Sequence, residues 1–235
     1  MTVCKGIVLP LLSLLLVSCA VVPGGRDPVQ PSRFEFDDLA KADVDMVAEI
    51  NVRHSLTYLN ELARKLYVRN PRQLARAGYG SRDDALRDLA RGHFRRFDEA
   101  LQGRRSTDAL MVAFSDEYAG DRVAAFIIGM RTMLLDGYGG KTEFYLHHAL
   151  DPQKLYYLAR NFEIAFWKLG HDRGADGELL LLSNSLQGTG DLSFERIAGK
   201  LIGLQDHMAQ VIADSSNRQI KNVVQGVASA VFFPI

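Results

Sequence analysis

The chain has 235 residues, of which 47% are apolar, and its 28 basic and 28 acidic residues give a formal net charge of zero. This apolar fraction is enough for a packed core and excludes wholesale disorder. The balanced charge excludes a chain that is basic throughout, so we expect no nucleic-acid partner. Two cysteines, Cys4 and Cys19, are too few for a disulfide-rich secreted scaffold.

Residues 1–18 have the pattern of a signal peptide. Lys5 gives a positive start, and residues 6–17 are almost wholly apolar but too short to span a bilayer comfortably. The apolar run ends in Leu16-Val17-Ser18-Cys19, which resembles the lipobox of bacterial lipoproteins. The resemblance implies that diacylglycerol alkylates the Cys19 thiol, that the peptide is cut before Cys19, and that the new amine is acylated. An ordinary secretory peptide cut nearby is the alternative.

Lipidation at Cys19 would decide both location and chemistry. Several acyl chains on one residue give stable attachment to a membrane. In the lipoproteins that the lipobox resembles, Asp after the lipidated Cys favours the inner membrane, so Ala20 implies the outer membrane, with the domain facing the periplasm. Because both cysteines belong to the signal region, the mature domain has no thiol for a disulfide, a nucleophile or a metal ligand.

The mature chain divides into a tether and a helical domain. Residues 19–33 are the lipidated N-terminus and a tether, since residues 20–33 hold three Pro and two Gly and little can pack there. Residues 34–235 predict a single all-α globular domain of about seven to nine helices. The first helix runs from Asp37 to about Arg69. Its predicted apolar face is a row of every fourth residue, with Leu59 and Ala63 beside the row: Met46, Ile50, His54, Tyr58, Leu62 and Leu66.

Turn and capping residues predict the next helices. Pro71 begins a short helix that ends before Gly78. Ser81 begins another that is interrupted at Gly92, and residues 107–118 are a further candidate. Asp121 to Leu135 predicts a central buried helix, because it is apolar on nearly all sides.

The last third of the chain predicts three more helices. They begin at Asp151-Pro152, with a stop at Gly170, at Ser193 and at about Asn217. Residues 178–187 fit either a helix or a strand. We expect the apolar tail to pack back onto the domain, with Phe232, Phe233 and Ile235 covering the central helices.

The sequence offers four candidate metal ligands: Glu143, His147, His148 and His207. Glu143 and His147 lie one helical turn apart, but zinc usually needs three or four converging ligands. We therefore expect no metal site and no cofactor. The letters Gly137 to Thr142 do not complete a phosphate-binding loop, because Leu135 stands where glycine is required. We expect His54 to be a hydrogen-bonded core residue.

Arg131 and Glu163 each lie in a mostly apolar helix. A buried charge without a partner is costly, so we predict that the two form a buried ion pair that fixes the register of their helices. A polar spot in an apolar cavity and simple exposure are the alternatives.

Charge is unevenly distributed although it sums to zero. Residues 64–105 hold twelve basic and five acidic residues, and eleven of the twelve are arginine. Arginine suits bidentate contacts to phosphate or carboxylate. The segment is therefore a candidate surface for an anionic partner, formed by Arg64, Arg69, Arg72, Arg76, Arg87, Arg91, Arg95 and Arg96. A solvated face neutralised by nearby acids is the alternative.

These patterns favour a non-enzymatic outer-membrane lipoprotein that contacts envelope components, either another envelope protein or anionic lipid headgroups. A carrier or chaperone for an apolar, lipid-like ligand is the rival hypothesis, and an envelope hydrolase is a third. No G-x-S-x-G motif is present to favour a serine hydrolase of that type.

Overall fold

The computed structural model describes residues 43–145, 149–183, 192–216 and 231–235. Within these ranges the chain forms eight α-helices: α1 Asp43–Arg69, α2 Pro71–Arg76, α3 Arg82–Arg91, α4 Arg95–Leu101, α5 Ser106–Ala113, α6 Arg122–Gly137, α7 Pro152–His171 and α8 Ser193–Ser216. The same ranges contain no strand, only an isolated bridge between Arg173 and Leu179. The predicted all-α fold is confirmed.

Local sequence explains where these helices begin and end. Ser81 accepts a hydrogen bond from the Asp83 N–H at the start of α3, and Asp121 accepts one from Ala124 at the start of α6. Gly92 ends α3 at a φ of 75°, a left-handed conformation that glycine adopts without steric cost. Pro71 is in the first turn of α2, as predicted.

The buried face of α1 differs from the prediction. Each step of four residues overshoots a full turn by about 40°, so a row of every fourth residue drifts around the helix. Seven of its ten buried residues follow alternating steps of three and four, namely Asp45, Ala48, Val52, Ser55, Leu59, Leu62 and Leu66. Leu59, Leu62, Ala63 and Leu66 are buried as predicted. Met46 and Ile50 are 38% and 42% exposed. His54 is also exposed, so its predicted place in the core was wrong.

Helix α6 lies at the centre of the core, as predicted. Twelve of its residues are buried, and it packs against α1, α5 and α7. Gly129 permits the close approach of α5, because a Cβ atom there would lie 2.7 Å from Cγ of Leu110. This is a packing reason for glycine inside an otherwise apolar helix.

Two predicted elements differ from the structure: one helix is shorter than predicted, and one segment forms neither of the two elements proposed for it. Helix α5 ends at Ala113 instead of continuing to residue 118. The Arg122 side chain explains this end, because its guanidinium donates to the carbonyls of Ala113, Ser115 and Asp116. Residues 178–183 form no helix and no strand beyond the single bridge, and residues 184–187 lie outside the described ranges.

The C-terminal tail packs back onto the domain, as predicted, through contacts with α7. The Asn161 amide donates to the Phe233 carbonyl at 2.9 Å, and its oxygen accepts from the Phe233 N–H at 2.6 Å. The Phe233 ring stacks on Tyr157 with 5.1 Å between centroids. Phe232 and Ile235 contact the hydrophobic core.

Several predictions fall outside the described residues. They are the signal peptide, Cys19 and the tether, the side chains of His147 and His148, and the helix predicted from Asn217. Among the helices that the structure does describe, none combines the length and the apolar character needed to cross a membrane.

Candidate anion-binding groove

The predicted basic surface spans the end of α1, helices α2 and α3, and the start of α4. Seven of its eight arginines are exposed, and the eighth, Arg69, is half-buried. Arg87 is paired with Asp84 at 2.7 Å, but both side chains are more than half exposed, so this ion pair is weak. The arginines of this surface are therefore accessible to an anionic partner.

Two of these arginines, Arg95 and Arg96, line a groove between α3 and α4, which we call the arginine groove. Its volume is about 830 Å³, and it is lined by Asp88, Gly92, His93, Phe94, Arg95, Arg96, Asp98 and Arg105. The turn after α3 builds it: Gly92 reverses the chain, and the His93 N–H donates to the Asp88 carbonyl at 2.8 Å. The predicted interruption at Gly92 is thus what forms the groove.

Both aspartates of the arginine groove already have partners. Asp88 accepts a hydrogen bond from the Tyr79 hydroxyl, and Asp98 accepts one from Arg105. Burial, together with the Asp88 carboxylate, raises the pKa of Tyr79, so this phenol stays neutral and remains a donor. Arg105 thus neutralises Asp98, whereas Asp88 keeps its charge beside the neutral Tyr79 phenol, so the three arginines of the groove outweigh its two aspartates by one charge.

The arginines are held differently. Arg96 lies over the Tyr79 ring at 4.9 Å, and Arg105 over the Phe94 ring at 5.1 Å. Arg105 also pairs with Asp98, whereas the aromatic contact of Arg96 orients its guanidinium without neutralising the charge. Arg95 is exposed and forms no ion pair with any residue in the described ranges. Arg95 and Arg96 can therefore donate to an anion.

The candidate metal ligands form no cluster within the described part of the chain. Glu143 and His207 are both exposed. No group of three or more His, Cys, Asp or Glu suited to a metal ion occurs in the described ranges, which leave out His147 and His148.

The predicted ion pair between Arg131 and Glu163 does not form in the described part of the chain. Glu163 pairs with Arg160 at 3.2 Å, three residues earlier on α7. Arg160 also contacts both carboxylate oxygens of Asp206 on α8 at 2.7 Å. Glu163 thus has a closer partner on its own helix, while burial raises its pKa and Arg160 opposes that rise.

Sequence analysis missed a buried polar cluster at the start of α6. Asp121 is 2% exposed and accepts a hydrogen bond from the Tyr67 hydroxyl at 2.7 Å. Burial raises its pKa to about 6, although hydrogen bonds from Ala124 and Tyr67 oppose the rise. Its position as a helix cap was predictable, but its pairing with a tyrosine 54 residues away was not. The carboxylate caps α6 and is closed to solvent.

In the arginine groove, three arginines outnumber two aspartates, and Arg95 and Arg96 are exposed. Its guanidinium groups match oxyanions such as phosphate. No protein-family model, curated protein or solved structure matches this chain.

Proposed function

We propose that this is a non-enzymatic outer-membrane lipoprotein, anchored through lipid on Cys19, whose periplasmic domain binds phosphate groups of anionic envelope lipids. The observation that carries the proposal is the balance of charged side chains in the arginine groove, where three arginines face two aspartates. Asp88 and Asp98 are engaged by Tyr79 and Arg105, whereas Arg95 has no ion-pair partner among the described residues.

Lipid phosphates fit this groove better than an apolar ligand does. The groove is open and most of its lining residues are charged, which suits a solvated headgroup better than an enclosed acyl chain. A lipid-anchored domain also meets headgroups at high local concentration, which compensates for weak individual contacts. An acidic envelope protein would offer carboxylates instead, and the experiment below separates the two.

The anchor is tested first, by intact-mass measurement of the mature wild-type protein. We expect a chain that begins at Cys19 and carries diacylglycerol and an N-acyl group. The Cys19→Ser variant should accumulate as an unprocessed precursor or appear as a soluble form. An unmodified mature wild-type chain would contradict the anchor.

Headgroup binding is tested with the lipidated full chain reconstituted in vesicles of phosphatidylcholine alone. These protein-bearing vesicles are mixed with fluorescent target vesicles, which contain either phosphatidylcholine alone or phosphatidylcholine with phosphatidylglycerol. Capture of the target vesicles by the protein-bearing vesicles is measured by flotation. We expect capture of the anionic targets only, decreasing as salt is added.

The double variant Arg95→Gln/Arg96→Gln should lower this capture roughly thirtyfold, since each basic residue near an anionic surface contributes about 1 kcal/mol. The matched control, Arg82→Gln/Arg196→Gln, removes the same charge at exposed positions outside both the groove lining and the predicted basic surface. Equal losses in both double variants would mean that net charge, not the groove, is recognised. Absence of capture would favour an acidic protein partner.

A further inference from the structure

A second groove, of about 470 Å³, lies beside Arg131 on the central helix α6. We call it the Arg131 groove. One wall is a face of α1 that includes Val52 and Leu56, and Ala90 at the end of α3 adds to it. It shares no lining residue with the arginine groove, so the inference below is independent of the proposed function.

Arg131 is unusual because its Nη1 atom is buried and has no hydrogen-bond partner among the described residues. Buried donors in folded proteins are nearly always paired, and an ionised donor without a partner is especially costly. Burial lowers the pKa of Arg131, and no carboxylate opposes that effect. Nη1 itself is closed to solvent, but Arg131 as a whole is only half-buried and lines the groove, so an anion in the groove can approach its side chain.

The surroundings restrict which anion fits. Val52 and Leu56 give the groove an apolar wall, which suits an alkyl chain. Glu49, Glu143 and Arg53 also line it, and the two carboxylates, which Arg53 offsets only in part, would repel a doubly charged phosphate more strongly than a singly charged carboxylate. A planar carboxylate further matches the geometry of a guanidinium.

We propose that the Arg131 groove binds a small organic carboxylate with a short alkyl chain, whose oxygens pair with the Arg131 guanidinium while the chain lies against Val52 and Leu56. The ligand supplies a charge partner for Arg131. Glu49 lines the same groove but does not bond Nη1, which has no hydrogen-bond partner among the described residues; Glu49 accepts a hydrogen bond from the Phe144 N–H at 2.9 Å.

Calorimetric titration of the lipidated full chain in detergent tests the proposal, with hexanoate as the probe. We expect hexanoate to bind the wild type, and Arg131→Gln to weaken binding roughly tenfold or more, since hydrogen bonds to charged groups are worth about 1.5–3 kcal/mol. Arg131→Lys keeps the charge without the planar fork and should bind with intermediate affinity. The control Arg82→Gln, an exposed site outside the groove lining, should bind like the wild type.

Leu56→Ala tests the apolar wall without changing Arg131. This variant should lose affinity for hexanoate but keep its affinity for acetate, because acetate has no chain to contact residue 56. Inorganic phosphate at equal ionic strength should bind the wild type more weakly than hexanoate. The proposal is overturned if hexanoate does not bind, if Arg131→Gln binds it as the wild type does, or if phosphate binds as tightly.

Discussion

The two arginines of α6 occupy contrasting environments. Arg122, at the start of the helix, is 6% exposed, and its guanidinium donates to three backbone carbonyls at 2.6–3.2 Å. Arg131, nine residues later, has a buried Nη1 without any partner among the described residues. At about 100° per residue the two side chains leave the helix on opposite sides. The contrast suggests that Arg122 maintains the fold, whereas Arg131 is available for a ligand.

The largest expected effect comes from Arg122→Gln. This change removes the side chain that holds the carbonyls of Ala113, Ser115 and Asp116, and it leaves them underpaired near the end of α5. We expect a loss of about 3–5 kcal/mol in the free energy of unfolding, measured by urea denaturation. If the variant lost less than Arg131→Gln does, the contrast between the two arginines would be wrong.

Asp121→Asn sharpens the comparison at the same end of α6, and its effect depends on pH. A folded-state pKa raised from 3.8 to about 6 favours folding below pH 4, and this contribution is lost as the pH rises through 6. The difference between these two pKa values corresponds to about 3 kcal/mol in the free energy of unfolding. Asn keeps the capping acceptor but cannot ionise, so we expect the variant to gain stability relative to the wild type between pH 4 and pH 7. Denaturation at both pH values checks this, and a difference independent of pH would contradict it.

Asn161→Ala extends the comparison to a buried side-chain amide whose hydrogen-bond partner is the Phe233 backbone in the tail. The change removes both hydrogen bonds to the Phe233 backbone, and with them the link between α7 and the tail. We expect a loss of about 2 kcal/mol and a lower melting temperature. Tyr157→Leu, which removes only the ring stacked on Phe233, should cost less. An unchanged melting temperature in Asn161→Ala would mean that these two hydrogen bonds contribute nothing to stability.

Arg131→Met has the smallest expected effect, and its sign differs from that of Arg122→Gln. Replacing an uncompensated, partly buried charge by an apolar side chain is often neutral or stabilising. We expect the free energy of unfolding to stay within about 1 kcal/mol of the wild type or to rise, measured in ligand-free buffer. A loss comparable to that of Arg122→Gln would show that Arg131 has a structural role.

The sequence predicted the helices better than it predicted which side chains meet. The capping residues Ser81, Asp121 and Asp151 and the breaks at Pro71 and Gly92 lie where the structure has them. These features depend on backbone contacts within about four residues, which the sequence lists directly. The face of α1 was mispredicted because a four-residue row was taken for a constant direction.

Sequence alone therefore determined the fold class, most helix ends and the concentration of arginine in residues 64–105. Only the tertiary structure decided that Glu163 pairs with Arg160, that Tyr67 pairs with Asp121, and that Arg131 has no partner among the described residues. The physical reason is distance along the chain. Helix propensity and capping are local, whereas the partner of a buried polar group depends on how distant helices pack, and many packings satisfy the same apolar pattern.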